Sequence, residues 1–268
     1  MKIIEEFISS KYKDGTRCED GIYVSEHFVV LIDGVTAKGH KLWEGRKSGE
    51  HAKNIIIKAL PTLSHKLSKA EIFDALNNVL LAEASLDTID KNNLLKASIV
   101  IYSAYHGQIW SYGDCQVMIN NELITKSKSV DTLLANIRSD VLKFYHSDKS
   151  IEQIFSEDHG RAFIQPLLEQ QYKFENVNRT YGYAVLNGTP INDSMINVFN
   201  VRAGDHVIFA SDGYPEVFVN LQKSEAYLKE MLNRDPNCFV INKQTKGLNR
   251  ELNSYDDRSY ISFVILDN

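Results

Sequence analysis

The sequence predicts an α+β protein in which two antiparallel sheets pack face to face with a helix pair on each outer side, a four-layer α/β/β/α sandwich. Three observations lead there. Strand-like and helix-like segments come in runs, which excludes the regular alternation of a doubly wound parallel sheet. The steps between neighbouring strand-like segments have hairpin chemistry, as in His106-Gly107 and Asn120-Asn121. Acidic residues border apolar strands near both ends of the chain, so residues 1–268 are expected to form one domain, with a helical insertion around 126–175.

Short β-branched and aromatic runs at Ile3–Ser9, Gly21–Val24 and Phe28–Ile32 open the chain as strands. From Trp43 to Ser64 the pattern is helical: Ala52, Ile55, Ile56, Ala59 and Leu60 fall on one face, and Pro61 disturbs only the end. Ser68, with Glu71 three residues on, forms a capping box for a second helix whose stripe is Ile72, Leu76, Val79, Leu80 and Ala84. Ala97–Ala104, Gln108–Tyr112, Gln116–Ile119 and Leu123–Thr125 read as a meander of hairpins. Helical spacing returns between Val130 and Lys173, through Leu133, Leu134, Ile137, Val141 and Leu142, then Ile151, Ile154 and Phe155, then Phe163, Ile164, Leu167 and Leu168. Tyr181–Leu186, Met195–Val201, His206–Ala210 and Ser259–Leu266 complete the strands, with a helix around Ser224–Leu232.

Composition excludes several classes of function. With 43% hydrophobic and 24% charged residues a substantial core is expected. A net charge of -5 and the lack of a dense basic stripe argue against nucleic acid as a partner. No apolar stretch approaches the ~20 residues that span a bilayer, and acids at Glu5 and Glu6 do not suit a signal peptide, so no membrane partner is expected and the location is expected to be cytoplasmic. Cys18, Cys115 and Cys238 are widely spaced and read as reduced structural thiols.

The chemistry is concentrated in acids. Phe28-Val29-Val30-Leu31-Ile32-Asp33-Gly34 and Val207-Ile208-Phe209-Ala210-Ser211-Asp212-Gly213 each end an apolar run in Asp-Gly, and Asp256-Asp257 precedes another. Three acids at strand ends are expected to converge on one point, with glycine letting the backbone turn sharply and expose its carbonyl. Carboxylate and carbonyl oxygens without His or Cys suit magnesium or manganese.

In order along the chain, Cys18-Glu19-Asp20, Leu31-Ile32-Asp33-Gly34, Ala97-Ser98-Ile99-Val100, Tyr112-Gly113-Asp114-Cys115-Gln116, Ala210-Ser211-Asp212-Gly213 and Asp256-Asp257-Arg258-Ser259 resemble the motifs of the metal-dependent protein serine/threonine phosphatases of type 2C, the PPM family. Each motif alone is weak, since Asp-Gly is common in turns; their order carries the resemblance. The resemblance implies the α/β/β/α sandwich and hydrolysis of phosphoserine or phosphothreonine on a protein partner by a metal-activated water. It further implies two Mg2+ or Mn2+ ions, with a weaker third in some members. Asp33 would bridge the two ions with the Gly34 carbonyl on one, Asp212 and Asp256 would complete the other, and Glu19 would reach the second ion through water. Asp20 would be structural, and Asp114 would serve the third ion or simply close its hairpin turn. Two cations supply the neutralisation and the nucleophile that phosphomonoester hydrolysis needs, so no protein nucleophile is required.

Departures from the family pattern are equally specific. Where many members have a phosphate-binding arginine four residues before the glutamate, this chain has Gly15, leaving Arg17 as the candidate, with Lys13 as the alternative that a shifted loop would deliver. Val35 stands where some members have histidine, and Gln116 replaces the arginine of the Gly-Asp-Ser-Arg turn, a change expected to touch structure more than catalysis. His40 is expected in a loop, and Trp43 and Trp110 in packing. The alternative function is a non-catalytic relative that keeps the sandwich as a binding or regulatory module; retention of all the matched acids favours the enzyme. A carboxylate-pair glycosidase ranks behind both, because no separate proton donor is evident.

Overall fold

A computed structural model describes residues 1–84, 90–124, 128–145 and 157–267. The helical positions read at Ile151, Ile154 and Phe155, and the strand end read at Thr125, lie outside these residues, as does part of the insertion around 126–175. Among the described residues, strands form two antiparallel sheets, as expected, with five strands in each.

The first sheet has the order β2-β3-β4-β5-β8, comprising β2 (Asp20–Val24), β3 (Phe28–Gly34), β4 (Ala97–Ser103), β5 (Gln108–Tyr112) and β8 (Asn197–Asn200). The second has the order β1-β10-β9-β6-β7, comprising β1 (Lys2–Ser9), β10 (Arg258–Val264), β9 (His206–Ala210), β6 (Gln116–Ile119) and β7 (Glu122–Ile124). Alternation of side chains assigns each strand two faces. In β3, Val29 and Leu31 pack between the sheets with Val100, Val117, Phe209, Ile261 and Phe263. Val30 and Ile32 face the other way, onto α1 (Ser48–Ala59) and α2 (Lys69–Ala84), through Ala52, Ile56, Ile72, Phe73 and Leu76. Burial on both faces explains why β3 is apolar until Asp33.

The helices of the second outer layer contribute unequally to its apolar cluster. Among the described residues, the apolar cluster on the outer face of the second sheet takes its helical residues from α5 (Leu221–Arg234) alone, with loop residues such as Tyr214, Val217, Cys238 and Tyr255 completing it. The helices α3 (Ser129–Tyr145) and α4 (His159–Glu169) instead pair with each other through Val130, Leu134, Ile164 and Leu168.

Three expectations about individual elements are corrected. The meander is two hairpins in separate sheets: β4 pairs β5, β6 pairs β7, and Gly113, at φ 124°, redirects the chain from one sheet to the other. Tyr181–Leu186 forms only isolated bridges, because the Asn176 side chain takes the place of a neighbouring strand, accepting from Val185 N at 2.9 Å and donating to Val185 O at 2.9 Å. The first helix begins at Ser48, not Trp43, which bridges Arg46 and stacks on His51. The capping box forms as expected, with Ser68 N and Oγ donating to Glu71 Oε2 at 2.8 and 2.7 Å. All three cysteines are free thiols, and both tryptophans are buried.

Candidate metal centre

Antiparallel pairing brings the acids to one edge. The end of β3 lies beside the start of β2, with Asp33 opposite Asp20, so Asp33 and Glu19 share an edge of the first sheet. In the second sheet β9 ends beside the start of β10, with Ala210 opposite Tyr260, which sets Asp212 and Asp256 at the neighbouring edge. Ser259 Oγ donates to Asp20 Oδ2 at 2.8 Å and joins the two sheets there. Glu19, Asp33, Gly34, Asp212 and Asp256 all line one cleft.

The glycines serve close approach, not left-handed turning. Gly34 and Gly213 are absent from the positive-φ residues. A Cβ at Gly34 would meet Gly49 O at 2.2 Å and Glu19 O at 2.7 Å, and one at Gly213 would meet Asp257 O at 1.9 Å. Gly213→Ala is therefore expected to destabilise the fold by at least ~1–3 kcal/mol, read as a drop in melting temperature of several degrees.

Charge in the cleft is uneven. Asp33 has its carboxyl pushed well above the ordinary range, first by burial and then by Asp212, Asp20, Asp114 and Asp256. Asp212 is exposed at the cleft mouth and is raised to about 7, by desolvation and then by Asp114 and Asp256. Asp20 is raised to about 8, chiefly by burial. Asp256 goes the other way: burial pushes it up, but Lys11 and Lys246 outweigh that and hold it well below the usual range. Its Oδ1 lies 3.1 Å from Lys11 Nζ and its Oδ2 2.5 Å from Lys246 Nζ.

The expected convergence of three acids is thus only partly met. Among the described residues, no three His, Cys, Asp or Glu side chains are placed to hold a metal ion as they stand, and both oxygens of Asp256 are turned to lysines. Asp33 and Asp212 have no ion pair among the described residues, whereas Lys11 Nζ lies 2.9 Å from Glu19 Oε2. The donors that remain, the Asp33 and Asp212 carboxylates, the Gly34 carbonyl and the buried Glu19 Oε1, unpartnered among the described residues, are all oxygen, and the raised carboxyls mark a missing counter-charge. That set fits one hard divalent cation.

Asp114 borders an adjoining recess with Lys128 and Asp212. Its Oδ2 lies 2.7 Å from Lys128 Nζ, its Oδ1 accepts from Ser98 Oγ, and Lys128 outweighs burial to shift it downward. Both oxygens are engaged within the protein. The candidate Arg17 does not line the cleft: at φ 59° it lies 3.8 Å over the Tyr12 ring and 3.1 Å from Asp14 Oδ2. His40 is exposed in its loop. Gln116 holds the Asp212 loop, donating to Ser211 O at 2.9 Å and Tyr214 O at 2.8 Å.

Sequence reasoning missed the lysines. Lys11, Lys38, Lys128 and Lys246 carry no motif, and the partners of Lys11 are as much as 246 residues away. Asp257, given no role of its own from the sequence, accepts from Lys11 N at 2.8 Å and Glu19 N at 3.3 Å and so fixes the first acidic loop.

With this geometry in place, comparison with solved structures decides the fold. The serine/threonine phosphatase PstP/Ppp of Mycobacterium tuberculosis aligns over 99% of this chain and 100% of its own at 14% identity and a TM-score of 0.51. The chain has the PPM phosphatase fold. A PstP catalytic domain in complex with 2 manganese ions gives 14% identity, full coverage of both chains and a TM-score of 0.51. Stp1 of Staphylococcus aureus gives 13% identity over 98% of this chain and 94% of its own, with a TM-score of 0.51. No family sequence model and no curated protein matches the chain. Among the described residues, no helix is long and apolar enough to cross a membrane.

Proposed function

We propose that this PPM-fold chain is a Mg2+- or Mn2+-dependent phosphatase acting on phosphoserine and phosphothreonine of a protein partner. One observation carries the reading: Asp33 and Asp212, delivered by different sheets to one cleft, are buried or crowded carboxylates with no counter-charge of their own. The serine/threonine substrate is carried over from the solved proteins that share the fold.

Asp33, Asp212 and the Gly34 carbonyl would hold the ion. Bound there, a divalent cation would neutralise phosphoryl oxygens and lower the pKa of water, which supplies the nucleophile. The chain's own cations would orient the substrate. Lys38 and Lys246 line the same cleft, and the Lys38 ammonium is lowered to about 8 by burial and then by Arg161 and Lys246. Positive groups crowded in this way gain from an anion between them, so they would take the phosphate role that Arg17 was expected to fill. Lys38 also holds at Nζ a proton that leaves more readily than that of an ordinary lysine. Arg17→Ala is accordingly expected to change kcat/KM less than about twofold, its exposed pair with Asp14 being weak, whereas Lys38→Ala is expected to raise KM for a phosphopeptide.

Hydrolysis of an aryl phosphate and of a phosphothreonine peptide, with and without Mn2+, tests the function. Metal-dependent release from both substrates, lost in Asp212→Ala, is the expected result. No release from either at any Mn2+ concentration would favour the non-catalytic binding module.

A further inference from the structure

Lys11 is placed as an ion would be. It follows β1, is 6% exposed, and its Nζ lies 2.9 Å from Glu19 Oε2, 3.1 Å from Asp256 Oδ1 and 2.9 Å from Asp257 Oδ2. An ammonium has three protons to donate, and three carboxylates take them. Burial alone would lower this lysine, but Asp256, Glu19 and Asp257 hold it charged. Its backbone is fixed as well, Lys11 N donating to Asp257 Oδ1 at 2.8 Å, while Asp257 Oδ2 accepts from Glu19 N. The unit is closed at both ends, unlike a surface lysine that swings onto a nearby acid.

Two of those three acids, Glu19 and Asp256, stand at positions that the PPM motifs assign to metal ions. Lys246 takes the other oxygen of Asp256, and Lys128 neutralises Asp114. We infer that Lys11 is a built-in cation standing in for one metal ion, so that the chain binds a single divalent cation, at Asp33 and Asp212. The inference rests on the metal-dependent reading above. A second divalent ion beside the first would have to recruit Glu19 or Asp256, and each of these already contacts the buried Lys11 ammonium. Displacing that charge would strand Asp257 and the ammonium without partners in the interior, a heavy cost for buried ions.

Ion counting decides the matter without reference to turnover. Native mass spectrometry and Mn2+ titration followed by electron paramagnetic resonance are expected to give one ion per wild-type chain, one for Lys11→Arg, none for Asp33→Asn, and two for Lys11→Gln. Two ions on the wild type, or an unchanged count of one in Lys11→Gln, would overturn the role of Lys11 and leave the metal-dependent reading standing. No ion on the wild type would overturn that reading and the inference with it. Should Lys11→Gln fail to fold, the wild-type and Lys11→Arg counts still separate one ion from two.

Discussion

Replacing Asp33 with asparagine is expected to abolish metal-dependent phosphate release, a loss on the order of 10³-fold or more, and at the same time to raise the melting temperature of the metal-free protein. Few substitutions in a core strand stabilise, and the sign follows from charge. Asp33 ends an apolar strand, is pushed well above the ordinary carboxyl range by burial and by four neighbouring acids, and has no ion pair among the described residues. Its ionised form is a cost to the fold. Asparagine keeps the shape and removes that cost, by about 1–2 kcal/mol, or roughly 2–6 °C for a chain of this size. The gain should vanish on adding Mn2+, which stabilises the wild type by binding its native state and leaves the variant where it was.

The same logic gives a pH dependence. A carboxyl raised from its ordinary ~3.9 to about 7 in the fold, as for Asp212, loses nothing in acid, where both states are protonated. It weakens the fold progressively as pH rises from about 4 to about 7, and by a constant amount above. Water at the cleft mouth screens Asp212, so Asp33 carries more of the effect. Metal-free protein should therefore melt higher near pH 5 than near pH 8, and Mn2+ should narrow the difference.

Arg138→Met is expected to be the most damaging substitution remote from the acids. Arg138 is fully buried on α3 and its guanidinium donates to Asp158 Oδ2 at 2.9 and 2.7 Å, to Cys238 O at 3.1 Å, to Gln244 O at 2.9 Å and to Asn237 O at 2.9 Å. Methionine fills much of the volume but strands three carbonyls and a carboxylate, a cost of about 3–5 kcal/mol, visible as a fall in denaturation midpoint at constant slope. Gln244, Thr245 and Lys246 line the cleft from this same loop. The variant should therefore raise KM while kcat falls less, because the loop positions substrate and holds none of the acids proposed to bind metal.

What the sequence made legible was local. The capping box at Ser68 and Glu71 and the Asn120-Asn121 turn, with φ of 49° and 73°, are written in adjacent residues, and the structure has both. The Asp-Gly steps were legible in position though not in cause, since the glycines serve contact with Gly49 O and Asp257 O from distant segments. Partners far along the chain explain most of the rest. Tyr181–Leu186 has strand composition, but the side chain of Asn176 meets its backbone in place of a neighbouring strand. β5 and β6 look like one hairpin's continuation, yet they belong to different sheets. Lys11 follows a strand of alternating exposure and has the composition of a surface residue; only the fold brings Glu19, Asp256 and Asp257 to its ammonium.

The central claim is that Asp33 and Asp212, from two different sheets, together hold a divalent cation. A crystal equilibrated with Mn2+ and measured at the manganese absorption edge tests it most directly. The expected result is an anomalous peak in the cleft within about 2–2.5 Å of a carboxylate oxygen from each residue. A cleft without such a peak at saturating Mn2+, or a peak that touches neither aspartate, would contradict it.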